Sequence, residues 1–495
     1  MALMIRLHNT LGGALEEFRP LRAGEVKLYT CGPTVYDYPH IGNWRAYIFE
    51  DLLKRFLMFR GFRVTHVMNL TDVDDKTIRD SRARSVEELK RYTEKYIDAF
   101  MAERDLLNIL PADHYPRATE HVPEMVALIR TLLEKGFAYE KDGSVYFAID
   151  KFPSYGRLSR INLEDRRPGS RGDADEYAKE SVHDFALWKA AKEGEPSWDT
   201  EVGRGRPGWH IECSAMSKKY LGPTFDIHCG GVDNIFPHHE NEIAQSEAGN
   251  GVKFVDYWLH CHHLVVDGEK MSKSKGNFYV LGDILARGYD PREVRFLLLS
   301  THYRKMLNFT FEALDQARAG RNRIRDFLVD LRGVKGGGPV GAEVAASIET
   351  ARAEFVAALE DDLNISESLA ALFRLIEKAN GLAAKNGLSG SDARALTGFV
   401  GDLDERVLKI EPTSVMVRPG PLSATGTPTS PSVKVDVSGD VDGSVQKLID
   451  ERQQARAAKD YKRADEIRKE LLARGILLED TKDGVRLKRV PPSGV

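Results

Sequence analysis

The chain has few cysteines and no long hydrophobic run. Only four of its 495 residues are cysteine, and none of them forms a C-x-x-C pair, which excludes a disulfide framework and a self-contained zinc knuckle. Apolar runs such as Phe296–Leu299 are far too short to cross a bilayer. No basic stretch followed by a long apolar one marks an export signal. We therefore expect a cytoplasmic protein without a membrane partner.

The chain also lacks an excess of positive charge. Lys and Arg number 71 against 75 Asp and Glu, which gives a net charge of −4. A nucleic-acid partner would therefore contact local basic patches on a mildly acidic protein. A hydrophobic content of 42% together with 29% charged residues indicates a globular protein, and the length predicts several domains.

A strand–helix–strand pattern near the start predicts the fold class. Residues 26–31 read as a buried strand, 44–60 as an amphipathic helix and 62–70 as a second strand. This order is typical of an α/β fold with a doubly wound parallel sheet of the Rossmann type. Further pieces of the sheet are predicted at 225–228 and 259–266.

An insertion interrupts the predicted α/β domain, which covers residues 1–310. The insertion spans about 115–206 and is predicted to contain a helix at 122–135, short strands around 145–147 and a polar loop at 166–176.

Beyond residue 310 the pattern becomes helical and then breaks. Residues 311–410 predict an antiparallel helical bundle. Its helices are expected at 311–331, 342–359, 366–385 and 391–410. Residues 411–444 are rich in proline and contain no aromatic residue, so we expect a flexible linker.

The last segment, 445–495, predicts a small α+β domain. A helical stretch at 445–474, with a break near Asp460, precedes two strands that flank Asp483-Gly484, a hairpin signal. Alternation places Arg486 and Lys488 on one exposed face. That face is either an ordinary solvated surface or a nucleic-acid contact.

Two short strings, far apart, carry the clearest chemical signal. His40-Ile41-Gly42-Asn43 directly precedes the predicted helix, whose free N–H groups and dipole suit a triphosphate. Lys270-Met271-Ser272-Lys273-Ser274 is an unusual pentapeptide whose ammonium groups could follow charge onto a leaving pyrophosphate. A His-x-Gly string alone is often just a turn, and a lysine-rich run is often a solvated loop. Together the two strings indicate a nucleotide site.

Four side chains from three segments could bind a metal ion. His238 and Glu242 stand four residues apart, so a helix would direct both the same way. Cys31 ends a predicted strand, and with Cys213 the four would form a tetrahedral Cys₂-His-Glu set that suits zinc. On spacing alone, each lone cysteine is more often a small buried hydrophobic residue than a ligand.

Three other cysteine and histidine residues are predicted not to be metal ligands. Cys229 and Cys261 are interpreted as buried hydrophobic residues. His239 is expected to point away from the ligand face, because it follows His238 directly on the predicted helix.

The two strings, together with Gly208–Ser214 and Phe236–Glu242, resemble the cysteinyl-tRNA synthetases, a family of class I aminoacyl-tRNA synthetases. The resemblance runs from about Leu7 to Arg489. The chain departs from the family pattern at Asn43, where the family usually has a second histidine. An amide can donate a hydrogen bond there but cannot become cationic.

The resemblance implies roles for individual residues. Catalysis is expected from His40, Asn43, Lys270 and Lys273. ATP binding is expected from His40, Gly42, Asn43, Lys270, Ser272 and Lys273. Cysteine binding is expected from Gly32, Thr71, Trp209 and Asp233. The zinc ligands are expected to be Cys31, Cys213, His238 and Glu242.

The resemblance also implies an activity and its partners. The chain would activate L-cysteine with ATP and transfer it to the 3′-terminal adenosine of tRNA(Cys), using one Zn²⁺ per chain and Mg²⁺ with ATP. Residues 311–410 would bind tRNA and 445–495 its anticodon region, and we expect a monomer. Two rivals remain: a cysteine ligase with a small amino-sugar acceptor, and a non-catalytic tRNA-binding paralogue.

Overall fold

The computed structural model describes residues 4–161, 184–385, 387–411, 476–481 and 484–489, with single helical positions at 448, 451, 452, 463, 467, 470 and 471. The chain forms two compact units, Met1–Glu411 and Pro412–Val495. None of the described helices is long and apolar enough to cross a membrane.

The described elements are numbered in chain order. The strands are β1 Arg6–Asn9, β2 Ala14–Glu17, β3 Glu25–Thr30, β4 Arg63–Met68, β5 Ala138–Lys141, β6 Ser144–Phe147, β7 Phe185–Ala190, β8 Trp198–Thr200, β9 Gly203–Pro207, β10 Phe225–Gly231, β11 Val255–Cys261, β12 Leu264–Val266, β13 Glu269–Lys270, β14 Leu307–Phe309, β15 Ile476–Thr481 and β16 Gly484–Arg489. The helices are α1 Ile41–Phe59, α2 Asp75–Ser81, α3 Val86–Leu106, α4 Val122–Glu134, α5 Trp209–Leu221, α6 Glu240–Asn250, α7 Leu281–Ala286, α8 Pro291–Ser300, α9 Phe311–Gly333, α10 Ala342–Glu360, α11 Ile365–Ala384 and α12 Gly390–Leu403.

A four-stranded parallel sheet forms the centre of the first unit. Its order is β11-β10-β3-β4, and every neighbouring pair is parallel. Val26, Leu28 and Ile227 are buried within it, as expected of a sheet covered on both faces. The α/β class and the strand–helix–strand unit β3-α1-β4 predicted from the sequence are confirmed.

The predicted strand at 259–266 is wrong as a single element. The structure divides it into the end of β11 in the central sheet and β12 in a separate sheet of order β13-β12-β14. The amide of His262 donates to the carbonyl of Tyr303 at 2.7 Å. This hydrogen bond lies between β11 and β12, whose sequences both favour a strand conformation. Pairing with a distant segment, and not local preference, therefore determines where β11 ends.

The insertion forms its own antiparallel sheet of order β5-β6-β7-β9-β8. Helix α4 buries Leu128, Ile129 and Leu132 in the same apolar cluster as Phe147 and Trp188. The helix and the strand around 145–147 match the prediction, while the predicted loop at 166–176 lies outside the described residues.

The four helices predicted after residue 310 are present as α9 to α12, but the last one ends early. It stops at Leu403, and the turn Asp404–Leu408 follows. The Asp404 carboxylate accepts hydrogen bonds from the amides of Ile410 and Glu411 at 2.8 and 3.2 Å. These side-chain bonds replace the helical ones that a continuation to Ile410 would have needed.

In the second unit, β15 and β16 form the predicted antiparallel hairpin, with Thr481 paired to Gly484. The predicted linker from 412 onward, most of the predicted helix at 445–474, and the side chains of Arg486 and Lys488 lie outside the described part of the chain.

Asp75, the first residue of α2, joins the central domain to the insertion. Its carboxylate binds the Lys189 ammonium at 2.7 Å and the Arg206 guanidinium at 2.5 Å. Burial acts to raise the pKa of Asp75, but these two cations hold it below its ordinary value. Asp75 therefore stabilises the contact between α2 and strands β7 and β9.

Asp75→Asn is expected to lower the free energy of unfolding by about 1 kcal/mol, because two well-buried cations lose a shared anion that is itself half exposed. Denaturant unfolding measures the change. The control is Asp199→Asn on β8, because Asp199 meets Arg204 at 3.7 Å and its side chain is 88% exposed. Equal stability of the two variants would contradict the assigned role of Asp75.

Candidate active site

Four parallel strands end at one edge of the central sheet, and the predicted site residues follow them. Cys31 and Gly32 come directly after β3, Thr71 comes three residues after β4, and Asp233 comes two residues after β10. Ligands bind at this edge of open α/β sheets.

A group of possible metal ligands lies at this edge. Cys31, Cys213, His238 and Glu242 each offer a ligand atom, and these atoms all lie within 4.8 Å of one another. The His238 Nε2 atom is 3.1 Å from Glu242 Oε1 and 3.5 Å from Cys213 Sγ. Cys31 Sγ is 4.0 Å from Glu242 Oε1. The structure thus brings together all four side chains that were predicted as ligands.

The donor set fits a tetrahedral divalent cation. Zn–S and Zn–N bonds of about 2.3 and 2.0 Å imply donor–donor edges of roughly 3.3–3.8 Å. The three separations of 3.1, 3.5 and 4.0 Å given above are comparable. Burial lowers the pKa of His238 to about 3, which leaves the imidazole in its neutral, metal-binding form. Burial also raises the pKa of the Cys31 and Cys213 thiols, so a bound cation would be needed to stabilise two thiolates here.

A second arrangement shares part of this group. Cys31, His228, His239 and Glu242 also place one ligand atom each within 4.8 Å of the others. The His239 Nε2 atom lies 3.2 Å from Cys31 Sγ. The prediction that His239 points away is therefore wrong.

The reason lies in the chain before α6. Residues Ile235–His239 form a wide π-type turn that contains an extended Phe236 (φ −136°, ψ 131°), and the α-helix begins only at Glu240. The directions of the His238 and His239 side chains therefore do not follow ideal helical geometry. His238 lies near the Cys213 thiol, and His239 lies near the Cys31 thiol.

An outer set of hydrogen bonds orients the group. His228 Nε2 lies 3.0 Å from Glu242 Oε2, and His238 Nδ1 lies 2.9 Å from His210 Nδ1. His239 Nδ1 lies 2.8 Å from His260 Nε2. Such partners hold metal-binding side chains in position. Sequence reasoning missed His228, His210 and His260, since isolated histidines on a strand or helix carry no spacing signal.

Three of the four residues predicted to bind cysteine contact this group or its immediate neighbours. The Trp209 ring stacks on the His238 ring with centroids 4.1 Å apart. The Thr71 hydroxyl donates to the Glu212 carboxylate, next to Cys213, at 3.1 Å. Gly32 follows Cys31, and a Cβ there would come within 1.8 Å of the Asn69 carbonyl oxygen, so this position requires glycine.

The predicted nucleotide string caps the first helix. Helix α1 begins at Ile41, three residues before the predicted start, with His40 as its N-cap. The His40 Nδ1 atom accepts hydrogen bonds from the amides of Gly42 and Asn43 at 3.1 and 3.2 Å. Two amides expected to be free for phosphate are therefore engaged by His40.

This capping determines how His40 and Asn43 can contact ATP. Because Nδ1 accepts, the neutral His40 ring carries its proton on Nε2, which is the atom left to donate. Burial lowers the pKa of His40, against an opposing effect of Asp233, and so favours this neutral form. The Asn43 Oδ1 atom accepts from the His40 amide at 3.0 Å, which leaves its Nδ2 group as the donor towards a ligand.

The lysine loop packs against the start of α1. The Ile41 amide donates to the Tyr279 carbonyl at 3.0 Å, and a Cβ on Gly42 would come within 2.8 Å of Met271 Cε. Ser272 and Asn277 close the loop through a 2.8 Å hydrogen bond. Two strings more than two hundred residues apart in sequence therefore form one site.

Lys273 is held above this site by residues that sequence reasoning missed. Its ammonium donates to the Asp37 carboxylate and lies 5.1 Å from the centroid of the Phe278 ring, which meets the His40 ring edge-on at 5.2 Å. The hydrogen bond to Asp37 raises the pKa of Lys273, so the side chain stays cationic. Lys270 lies on β13 and is exposed. Asp37 stands three residues before His40, and this short separation was the one feature of the sequence that could have indicated its place in the site.

Comparison with known proteins identifies the class. The family model described as "tRNA synthetases class I (C) catalytic domain" matches residues 17–319. A "DALR domain" matches 354–408, and a "Cysteinyl-tRNA ligase anticodon binding domain" matches 438–486. The methionyl-tRNA synthetase of Mycobacterium tuberculosis in complex with methionyl-adenylate is similar in fold, with a TM-score of 0.58, 18% identity, and 78% of this chain and 92% of that chain covered. The chain has the fold of a class I tRNA synthetase.

Closer relatives specify the family. The cysteine--tRNA ligase of Chlamydia muridarum is 46% identical over 497 residues, 98% of this chain and 99% of the relative. That of Brachyspira hyodysenteriae is 46% identical over 491 residues, with the same coverage. The chain belongs to the cysteine--tRNA ligase family.

Proposed function

We propose that this chain attaches cysteine to tRNA(Cys) in two steps. The carboxylate of cysteine attacks the α-phosphate of ATP, which forms cysteinyl-adenylate and releases pyrophosphate. A hydroxyl of the 3′-terminal adenosine of tRNA then attacks the activated carbonyl, and AMP leaves. The observation that carries the proposal is that a candidate nucleotide site and a group of possible metal ligands with two cysteines lie at one sheet edge, in a chain of this family. No protein nucleophile is needed.

The nucleotide residues would act by stabilising charge. His40 donates from Nε2 and Asn43 from Nδ2 to phosphate oxygens, while Lys273 and Lys270 neutralise the pyrophosphate as it leaves. Gly42 lets the chain approach ATP closely, and Ser272 keeps the loop closed through its bond to Asn277. Mg²⁺ is expected to accompany ATP.

The ligand group would select the amino acid. Cys31, Cys213, His238 and Glu242 would hold one zinc ion per chain, which their donor chemistry fits. A zinc ion bound there supplies a Lewis acid that favours a deprotonated thiol over a hydroxyl. Gly32, Thr71, Trp209 and Asp233 would enclose the rest of cysteine. A site built on such a contact can reject serine by roughly 10⁴-fold.

The remaining segments would bind tRNA. We assign residues 1–310 to catalysis, with the insertion at about 115–206, and 311–410 to a tRNA-binding helical bundle. Residues 411–444 would be a linker, and 445–495 would bind the anticodon region. The family matches at 354–408 and 438–486 support the two tRNA-binding assignments. Local patches of basic side chains would have to supply the affinity for tRNA, because the chain as a whole has a net charge of −4.

Two assays test the proposal. Cysteine-dependent ATP–pyrophosphate exchange without tRNA is expected, and its absence would favour a non-catalytic tRNA-binding protein. Attachment of labelled cysteine to tRNA(Cys) is expected next. Exchange without charging would favour a cysteine ligase that acts on a small amino-sugar acceptor, although the retained helical bundle argues against that rival.

Ending the chain after Glu411 is expected to leave exchange near its full-length rate while the KM for tRNA rises roughly 10²-fold, because a second binding module is lost. The truncation keeps Glu411, whose carboxylate pairs with Arg321 at 3.1 Å and whose amide bonds to Asp404. A chain ended after Arg489 is the control. Equal loss of exchange and charging would contradict separate modules.

A further inference from the structure

Four tyrosines form a connected surface beside the nucleotide site. Tyr36 and Tyr38 flank Asp37, while Tyr92 and Tyr96 stand one turn apart on α3. The Tyr38 ring meets Tyr96 edge-on at 5.3 Å, and Tyr92 meets Tyr96 at 5.4 Å. The Tyr92 hydroxyl donates to the Tyr36 carbonyl at 3.1 Å. We name these four residues the tyrosine platform. These contacts hold the Tyr38, Tyr92 and Tyr96 rings against one another and tie Tyr92 to the backbone of Tyr36.

The platform presents an aromatic ring and positive charge to solvent. Tyr38 is 43% exposed although its neighbour Tyr96 is buried. The Lys95 ammonium lies 4.5 Å from the Tyr96 ring centroid, and the Lys76 ammonium lies 5.7 Å from that of Tyr36. Both lysines are exposed. The attraction between a cation and an aromatic face favours positions of these two ammonium groups beside the platform.

Two carboxylates beside the platform are already paired. Asp37 binds Lys273, and Asp80 binds Arg79 through two hydrogen bonds of 2.7 and 3.1 Å. Their negative charge is therefore largely balanced, and Lys76 and Lys95 remain to attract an anion. An exposed ring bordered by cations is the arrangement that binds unpaired nucleotides, through base stacking and phosphate contacts.

The platform is continuous with the site of adenylate formation. Asp37, between Tyr36 and Tyr38, holds Lys273, which in turn lies over the Phe278 ring beside His40. A strand of nucleotides lying on the platform would therefore end at the phosphate-binding residues. A base-paired stem would not expose base faces for Tyr38 to stack on, so an unpaired end suits the surface better.

We infer that the tyrosine platform binds the unpaired 3′ end of the acceptor tRNA, with a base stacked on Tyr38 and phosphates beside Lys76 and Lys95. This inference rests on the proposed tRNA-charging function. It assigns the end of the tRNA to a particular surface, in front of the adenylate rather than on the insertion or the helical bundle.

The experiment compares Tyr38→Ala, Tyr38→Phe and Lys95→Ala with the unchanged enzyme. Loss of one stacked base is expected to raise the KM for tRNA about tenfold in Tyr38→Ala, while Tyr38→Phe keeps the wild-type value. Lys95→Ala is expected to raise the same KM and to weaken its dependence on salt. Exchange without tRNA should stay unchanged, since neither residue contacts ATP or cysteine in the proposed site.

Lys253→Ala is the matched control. Lys253 precedes β11 at the opposite edge of the sheet, and its side chain is 51% exposed in an ion pair with Asp256. It should leave the KM for tRNA unaltered. An equal rise in this control would show a general charge effect and overturn the inference.

A shortened tRNA locates the contact. Binding of tRNA(Cys) that lacks its unpaired 3′ nucleotides is expected to be equally tight for Tyr38→Ala and the unchanged enzyme, while full-length tRNA discriminates between them. Discrimination with both RNAs would place the contact elsewhere on the tRNA, and a parallel loss of exchange would place the platform in adenylation. Either result overturns the inference. Failure of the unchanged enzyme to charge tRNA would refute the proposed function instead.

Discussion

Cys213→Ser is expected to lose bound zinc and cysteine activation together. A serine hydroxyl is a poor ligand beside Cys31, His238 and Glu242, so metal content should fall from one ion per chain to a small fraction. Cysteine-dependent exchange should fall by about 10³-fold, as expected when a preorganised electrostatic contact is removed. Metal analysis of the purified protein and the exchange assay measure the two effects.

Cys229→Ala is the matched control for this experiment. Cys229 is as deeply buried as Cys213 but belongs to neither group of possible ligands, so its replacement should keep the zinc. Normal metal content in Cys213→Ser would remove Cys213 from the ligand set. The arrangement with His228 and His239 would then become the metal site.

A pair of histidine variants distinguishes the two arrangements directly. If Cys31, Cys213, His238 and Glu242 hold the ion, His238→Ala loses it and His239→Ala retains it. The opposite result would assign the ion to the second group, which shares Cys31 and Glu242.

Much of the fold could be predicted because its signals are local. The β3-α1-β4 unit follows from alternating and helical patterns within 45 residues, and the four late helices follow from their breaks at glycine and proline. The proximity of His238 and Glu242 agrees with their four-residue spacing, although His238 lies in the π-type turn before α6. Cys31 and Cys213 were different, since their spacing favoured buried hydrophobic residues and only the family resemblance favoured them as ligands.

What the sequence could not predict depends on contacts between distant segments. The end of β11 is set by the bond from His262 to Tyr303, which lies about forty residues further along the chain. The inward position of His239 comes from a wide turn that no residue preference indicates. The true start of α1 was missed because Gly42 and Asn43 are weak helix formers, while the cap made by His40 compensates for them.

Lys273→Ala is expected to lower the kcat of exchange by about 10²- to 10³-fold with little change in the KM for cysteine. The Lys273 ammonium binds Asp37, so its interaction with the departing pyrophosphate would form at the expense of this ion pair. An interaction that forms mainly in the transition state affects kcat more than substrate binding. Steady-state exchange kinetics with varied cysteine at saturating ATP separate the effect on kcat from the effect on this KM.

Lys275→Ala provides the control within the same loop. The Lys275 ammonium pairs with Glu269 at 2.7 Å, and both side chains are more than half exposed, so this substitution removes one positive charge from the loop without touching Asp37 or Phe278. Its exchange kinetics should match those of the unchanged enzyme. If Lys275→Ala were equally slow, the loop would act through its total charge, and the position of Lys273 over Phe278 and His40 would have no separate role. A normal rate in Lys273→Ala would exclude Lys273 from the chemistry altogether.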